Sequence, residues 1–304
     1  MTKKIIRIGS RKSRLARIQT KLVAEQLLKA HPELEVQMVT MDTTGDILRD
    51  RPLDDAGGKG LFTLQLEQAL RSGKIDLSVH SLKDMPEKIP DDLPVLAYSK
   101  REDPRDVLIL PKGTAFHGFQ SISYKKPVGC SSTRRSIFLQ KLCPGISITP
   151  VRGNVPTRIR KLDEGNFSAV ILAAAGLKRL GLMKRASYIF SETEMLPAAG
   201  QGILAVQGRN DFDRKLLECV DDAGSRTAAC AERAVIAALG CSCSSPAAAY
   251  CRVFKDGKIE LRAFYVSPKT GKETFGTVSG VREESIPLAE NLAAQLQKEA
   301  ENIG

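Results

Sequence analysis

The stretch Ser78-Val79-His80-Ser81-Leu82-Lys83-Asp84-Met85-Pro86 places a carboxylate beside an ammonium group and two hydroxyls. Residues 75–79 are short and rich in branched apolar side chains, the pattern of a buried strand. The polar part that follows stops at Pro86, so Lys83 and Asp84 fall in the loop leaving that strand. In open α/β sheets, ligands gather at the carboxyl ends of strands, where such loops converge. Asp84 there could transfer protons while positive neighbours keep it ionised. The plainer alternative is an Asp that only satisfies turn amides, and the stretch taken alone favours it.

Arginines recur at junctions between a strand and the helix after it. Residues 9–14 lead from a strand over 4–9 into a helix over 15–29, with Ser13 placed to cap it. Arg11 lies beside helix-start amides that favour a carboxylate. Ser131-Ser132-Thr133-Arg134-Arg135 repeats the arrangement after a strand over 127–130. A strand over 146–151 runs into Arg152-Gly153-Asn154, then a helix over 156–163 that starts on Pro156 and carries Arg158 on its first turn. A strand over 169–174 precedes Arg179. Any one of these arginines would ordinarily be a solvated surface charge. Together, Arg11, Arg134, Arg135, Arg152, Arg158 and Arg179 at equivalent junctions point to a shared anion site. The guanidinium fork matches carboxylates, so the expected ligand carries several. Gly57-Gly58-Lys59-Gly60, before a helix over 61–70, adds backbone that can approach a ligand closely and a point charge on Lys59. It is not a Walker loop, and a flexible lid is an equal alternative.

A formal net charge of +11 implies an anionic partner. Nucleic acid is disfavoured: there is no Trp, aromatic residues make up 5%, and no lysine-rich tail or groove-reading motif is present. A small polyanion fits better. Seven scattered cysteines suggest reduced thiols rather than a disulfide framework. Only Cys241-Ser242-Cys243 is clustered, and His31, His80 and His117 lie far from it in sequence, so no metal is expected. No apolar run approaches the roughly 20 residues a membrane span needs. Residues 1–7 enter a strand pattern directly, and the expectation is a cytosolic protein.

The fold class these patterns predict is α/β, with two α/β lobes and a smaller α+β domain. Residues 100–106 form a charged crossover and residues 196–202 a glycine-punctuated one, after which a strand over 203–207 returns to the first lobe. A helix over 228–239, three strands broken at Asp256-Gly257 and Thr270-Gly271, and a closing helix over 287–302 follow. The expected division is 1–99 with 200–217, then 100–199, then 218–304.

With these pieces in order, the chain resembles the porphobilinogen deaminase family over nearly its full length. The resemblance rests on Arg7 to Arg11, Gly57-Gly58-Lys59-Gly60-Leu61-Phe62, Val79 to Asp84, Arg101 to Asp106, Ser131 to Arg135, Arg152-Gly153-Asn154-Val155, Ala175 to Gly181, Leu196 to Gly202, and the cysteine loop before Pro246. It implies two lobes like those of periplasmic-binding proteins around a cleft and a third domain carrying a covalent dipyrromethane cofactor on a cysteine thioether. Four porphobilinogens would be joined head to tail, each losing ammonia, and hydroxymethylbilane released by hydrolysis. Asp84 matches the family's catalytic acid. Arg11, Arg134, Arg135, Arg152, Arg158, Arg179, Lys59 and Lys83 would neutralise the growing polyanion, with hydrogen bonds from Ser13, Ser81 and Ser132. Phe62 would cover a pyrrole ring or pack in the core. Cys243, three residues before Pro246, matches the attachment thiol, while Cys241 stands where a glycine is expected and leaves a second candidate. Asp55, Cys130 and Gln207 depart from the common lysine, threonine and glutamate. A monomer is implied, with no nucleotide. A non-catalytic two-lobed binder of small polycarboxylates and a basic nucleic-acid-binding protein are the competing readings.

Overall fold

A computed structural model describes residues 4–42, 63–241 and 245–301. The chain divides into two compact units, Met1–Arg101 with Ile203–Arg226, and Glu102–Gly202 with Thr227–Gly304.

In the first unit, β1 (Lys4–Arg11) leads through α1 (Arg14–Ala30) to β2 (Leu34–Met41), and α2 (Leu64–Arg71) precedes β3 (Leu77–Ser81) and β4 (Val95–Tyr98). Helix α1 starts where Ser13 accepts a hydrogen bond from the Ala16 amide, and its Val23 and Leu27 bury against Ile6, Ile8, Leu77 and Val79. Helix α2 covers the other face with Leu66 and Leu70, packed on Ile75 and Leu93. Gly9 permits that close packing, because a Cβ there would run into the Ile75 and Leu66 side chains.

The second unit holds β5 (Asp106–Ile109), β6 (Val128–Gly129), α3 (Thr133–Leu142), β7 (Ile148–Thr149), α4 (Val155–Asp163), β8 (Ala169–Ala173), α5 (Ala174–Arg179) and β9 (Tyr188–Ile189). The chain then supplies β10 (Leu204–Gly208) to the first sheet. The sheet orders are β2-β1-β3-β10-β4 and β7-β6-β8-β5-β9. In each, the first three strands are parallel, and the fourth in order is antiparallel to both its neighbours. The two sheets thus share one topology.

Helix α6 (Ala223–Ala238) leads to β11 (Ala247–Val253), β12 (Lys258–Val266) and β13 (Glu273–Val281), an antiparallel meander covered by α7 (Ser285–Glu301). The α/β lobes and the small α+β part agree with the fold class expected from the sequence.

Several elements differ in extent from their sequence patterns. The strands expected over 127–130 and 146–151 shorten to two residues each. The Ser131 hydroxyl donates to Val151 O (2.7 Å) and accepts from Val151 N (3.0 Å), which takes Val151 out of the ladder. The helix expected over 228–239 starts earlier, at Ala223, where the Asp222 carboxylate accepts from Ser225 N (2.7 Å). Just before it, Asp221 accepts from Tyr98 N (2.8 Å) and Asp222 N donates to Tyr98 O (2.8 Å), tying residues 221–222 to β4.

Because Leu27 is fully buried between α1 and the sheet, Leu27→Ala should cost about 2–5 kcal/mol of unfolding free energy in denaturant titration. A loss below about 1 kcal/mol would mean that α1 is not docked as described.

Candidate active site

Parallel pairing of β1 with β3 brings their carboxyl ends to one edge of the first sheet, Gly9 lying opposite Ser78. Arg11 ends β1 and Ser13 caps α1 just beyond it, while Ser81 ends β3 and runs into a single 3-10 turn, Leu82–Asp84. The expected irregular loop is therefore a tight turn, closed by Met85 N donating to Leu82 O (3.1 Å) and held to the sheet by Leu82 N donating to Ile203 O (3.0 Å). Leu82 and Met85 are buried on either side of it. Lys83 is half-buried and Asp84 is exposed, so the acid is presented from an anchored frame. The buried Gln19 amide of α1 donates to the Ser81 hydroxyl (2.9 Å), which fixes the approach to the turn.

Behind the turn lies His80, fully buried, its Nε2 2.8 Å from the Ser78 hydroxyl. Burial and the nearby Arg11 charge push its imidazole down from 6.5 to about 4, against the opposing influence of Gln207. The Gln207 amide nitrogen donates to Leu93 O (2.8 Å), and its side-chain oxygen is buried without a hydrogen-bond partner. At neutral pH the core beneath Asp84 therefore contains a neutral imidazole.

In the second unit, the parallel strands β6, β7 and β8 send their following segments to one edge. Ser132 caps α3 by accepting from Arg135 N (3.4 Å), and Asn154 caps α4 by accepting from Thr157 N (3.0 Å). Arg158 Nε donates back to Gly153 O (2.7 Å), and Lys161 holds Arg152 O (3.3 Å). Arg179 donates to Gly202 O (2.7 Å), and burial lowers its guanidinium to about 10 despite the favourable field of Glu102.

Arg134 and Arg135 are placed otherwise than the sequence pattern suggests. Both are buried, and both engage Asp106, which is 0% exposed. Arg134 Nη2 donates to Asp106 Oδ2 (2.8 Å), while Arg135 Nε (3.1 Å) and Nη2 (2.7 Å) donate to Oδ1. Gln201 Nε2 donates to the same Oδ1 (2.9 Å). Asp106 escaped the sequence reading because it closes a charged segment that reads as a solvated crossover. The available signal was its position directly before the apolar run Val107 to Leu110.

The structure thus brings Arg11, Ser13, Ser81, Lys83 and Asp84 together at one sheet edge. Ser132, Arg134, Arg135, Arg152, Arg158 and Arg179 lie in the second unit, on the segments that follow β6, β7 and β8. Lys59, Phe62, Asp55 and Cys243 lie outside the described residues. Cys241 is buried among Val235, Leu239 and Leu261 in the core under the meander, its thiol donating to Leu239 O (3.8 Å). Among the described residues no group of three or more His, Cys, Asp or Glu side chains is arranged to hold a metal ion, and no helix is long and apolar enough to cross a membrane.

A family profile described as porphobilinogen deaminase, dipyromethane cofactor binding domain, matches residues 6–218, and one for the porphobilinogen deaminase C-terminal domain matches 227–301. The chain belongs to the porphobilinogen deaminase family. It is a transferase of tetrapyrrole biosynthesis with a dipyrromethane cofactor-binding domain. Porphobilinogen deaminase of Acetivibrio thermocellus is 49% identical over 97% of this chain and 99% of its own length. That of Alkaliphilus oremlandii is 48% identical over 98% and 99%. Among solved structures, the BenM effector binding domain with its effector benzoate aligns with a TM-score of 0.42 at 15% identity, covering 72% of this chain and 90% of its own.

His80 makes a pH prediction with a definite sign. The unfolded chain binds the His80 proton near pH 6.5 and the folded chain only near about 4. Its contribution is fully present above pH 6.5 and is lost progressively as pH falls towards 4, by at most about 3 kcal/mol. His80→Gln should flatten that part of the stability profile between pH 6.5 and 4, read by denaturant unfolding at several pH values. A variant profile parallel to the parent's would show that His80 does not carry the slope.

Proposed function

We propose that the chain deaminates porphobilinogen, joins four molecules head to tail onto a dipyrromethane primer on Cys243, and releases hydroxymethylbilane by hydrolysis. One observation carries the reading: Asp84 is exposed on a turn pinned by buried Leu82 and Met85, at the sheet edge where Arg11, Ser13 and Lys83 also lie. An acid at such an edge is held in place and stays open to a ligand.

The donor set suits a primer that carries carboxylates. Arg134 and Arg135 place two buried guanidiniums against one carboxylate, and Ser132 caps the same helix. Arg152, Arg158 and Arg179 extend the cationic set. These residues would hold the carboxylates of primer and substrate, together with Lys59 and Lys83; Ser13, Ser81 and Ser132 would add hydrogen bonds, and Phe62 would cover a ring. When bound, the primer supplies the pyrrole carbon to which the first unit is joined.

Asp84 assists ammonia in leaving the substrate and accepts a hydrogen bond from the substrate ring N–H. Its negative charge stabilises the positive charge that grows on that ring, and it takes part in the deprotonation that ends each coupling. Arg11 and Lys83 fix the substrate's own carboxylates near the acid and orient the ring. For the attachment thiol, the burial of Cys241 in an apolar core favours Cys243, because a reacting thiol needs access and thiolate character. A division into 1–99 with 200–217, 100–199 and 218–304, a monomer and a cytosolic location complete the reading.

Asp84→Asn should fold and bind ligand like the parent while turnover falls by roughly 100-fold or more, measured as kcat in steady-state assays. Turnover within about threefold of the parent would remove Asp84 from its role. Intact mass tests the thiol separately. Protein made in cells that supply porphobilinogen should carry two linked pyrroles, retained in Cys241→Ser and absent from Cys243→Ser. An adduct that persists in Cys243→Ser and vanishes in Cys241→Ser would reverse the assignment.

A further inference from the structure

Helix α1 begins at the edge where Arg11, Ser13, Lys83 and Asp84 lie, and it begins with cations. Arg14 is its first residue and Arg17 follows about one turn on. No acid occurs in the first turn, and Glu25, the acid of this helix, comes about three turns after its start. Buried Ala16, Thr20, Val23 and Leu27 fix the side of α1 that meets the sheet, and Arg14, Arg17 and Lys21 stand exposed away from it. The neighbouring lysines are engaged: Lys12 pairs with Asp42, and Lys21 with Glu25 (3.5 Å). Arg14 and Arg17 have no ion pair or side-chain hydrogen bond among the described residues.

This arrangement works against the helix. The free N–H groups make a helix start partly positive, so a cation there is repelled, whereas a cation is favoured at the other end, where Lys29 lies. Helix stability therefore gives no reason for arginine at 14 or 17, and neither side chain is in the core. What the two guanidiniums have is a position. Arg14 directly follows Ser13 and lies three residues beyond Arg11. At physiological ionic strength an exposed charge is felt over about 8 Å. At a rise of about 1.5 Å per residue, Arg14 and Arg17 are within about a turn of the edge, while Lys29 is more than about 20 Å along the helix.

We propose that Arg14 and Arg17 form an electrostatic approach surface for the anionic substrate: their unpaired charges raise its concentration at the edge where Arg11 and Lys83 take its carboxylates. The proposal rests on the functional reading above and adds which residues gather the substrate. The charge that weakens the start of α1 is the charge that draws carboxylates to it.

The test uses primer-loaded enzyme and porphobilinogen, with kcat and KM measured at about 0.1 M and about 1 M salt, where charges are felt over about 10 Å and about 3 Å. At the lower salt, Arg14→Glu/Arg17→Glu should lower kcat/KM on the order of threefold to tenfold, through KM, with kcat within about twofold of the parent. At the higher salt the two proteins should differ by less than about twofold. Lys29→Glu, a reversal of the same kind at the far end of the helix, should leave kcat/KM within about twofold of the parent at both salts. Thermal unfolding gives a readout of opposite sign. Acids suit the start of α1, so the double variant should melt about 1–3 °C higher than the parent, whereas a structural role for the arginines requires a lower Tm.

A double variant whose kcat/KM matches the parent at the lower salt, or falls by the same factor at both salts, overturns the proposal. So does an equal fall in Lys29→Glu. Should the double reversal disturb folding, Arg14→Gln/Arg17→Gln replaces it and must show a smaller fall in kcat/KM that vanishes at the higher salt; no fall overturns the proposal. A loaded parent that does not turn over porphobilinogen at either salt would instead refute the underlying functional reading.

Discussion

Everything in this molecule depends on where the parallel strands end. Three parallel strands in each five-stranded sheet force the segments after them to leave by a single edge, because each connection must return across a face before the next strand begins. Helix starts and turn amides collect there, and so do the side chains between strand and helix. An arginine placed after β1, β6, β7 or β8 has little choice of neighbourhood. The antiparallel strand next to the third, β10 in one sheet and β5 in the other, then fixes the frame from behind: Leu82 N binds Ile203 O just before β10, and Asp106 opens β5.

The two edges use charge differently. In the first unit the acid is exposed on a turn whose flanks are buried, and the group packed behind it, His80, is held neutral. A protonated imidazole there would be a buried positive charge close to that of half-buried Arg11. Gln207 presents an amide there, and an amide suits a neutral imidazole as a carboxylate would suit a charged one. In the second unit the acid is buried, and Asp106 fixes the geometry of the Arg134 and Arg135 forks. One carboxylate reaches outward and the other holds its neighbours still.

Much of this was legible in the residues. The periodicity of 4–9 and 15–29, the serine caps, and Pro156 at a helix start follow from local chemistry, and α1 and α4 formed close to their expected bounds. The shared topology of the sheets was foreshadowed by the repeated order of strand, hydroxyl-rich turn and arginine. What escaped was non-local. Strands β6 and β7 are two residues long because Ser131 captures Val151, a contact across 20 positions that no window shows. Asp106, Arg134 and Arg135 each look like a surface charge in their own segments, and only the pairing of β5 with β8 buries them together. Chain-distant charges that pair in the core are invisible to patterns built on burial of apolar side chains.

The same logic separates the two neighbouring cysteines. In sequence, Cys241 and Cys243 differ by two positions and share a loop, so either thiol could carry an adduct. Cys241 N donates to Ile236 O, which continues the end of α6, and its side chain is 5% exposed among the apolar residues under the meander. Attaching a carboxylate-bearing pyrrole to that sulfur would drive charged groups into the core or pull the end of α6 away from it. Both routes lose apolar burial and expose the α6 terminus. Cys241 is thereby a packing residue. The compact Cys241 thiol fills space among Val235, Leu239 and Leu261.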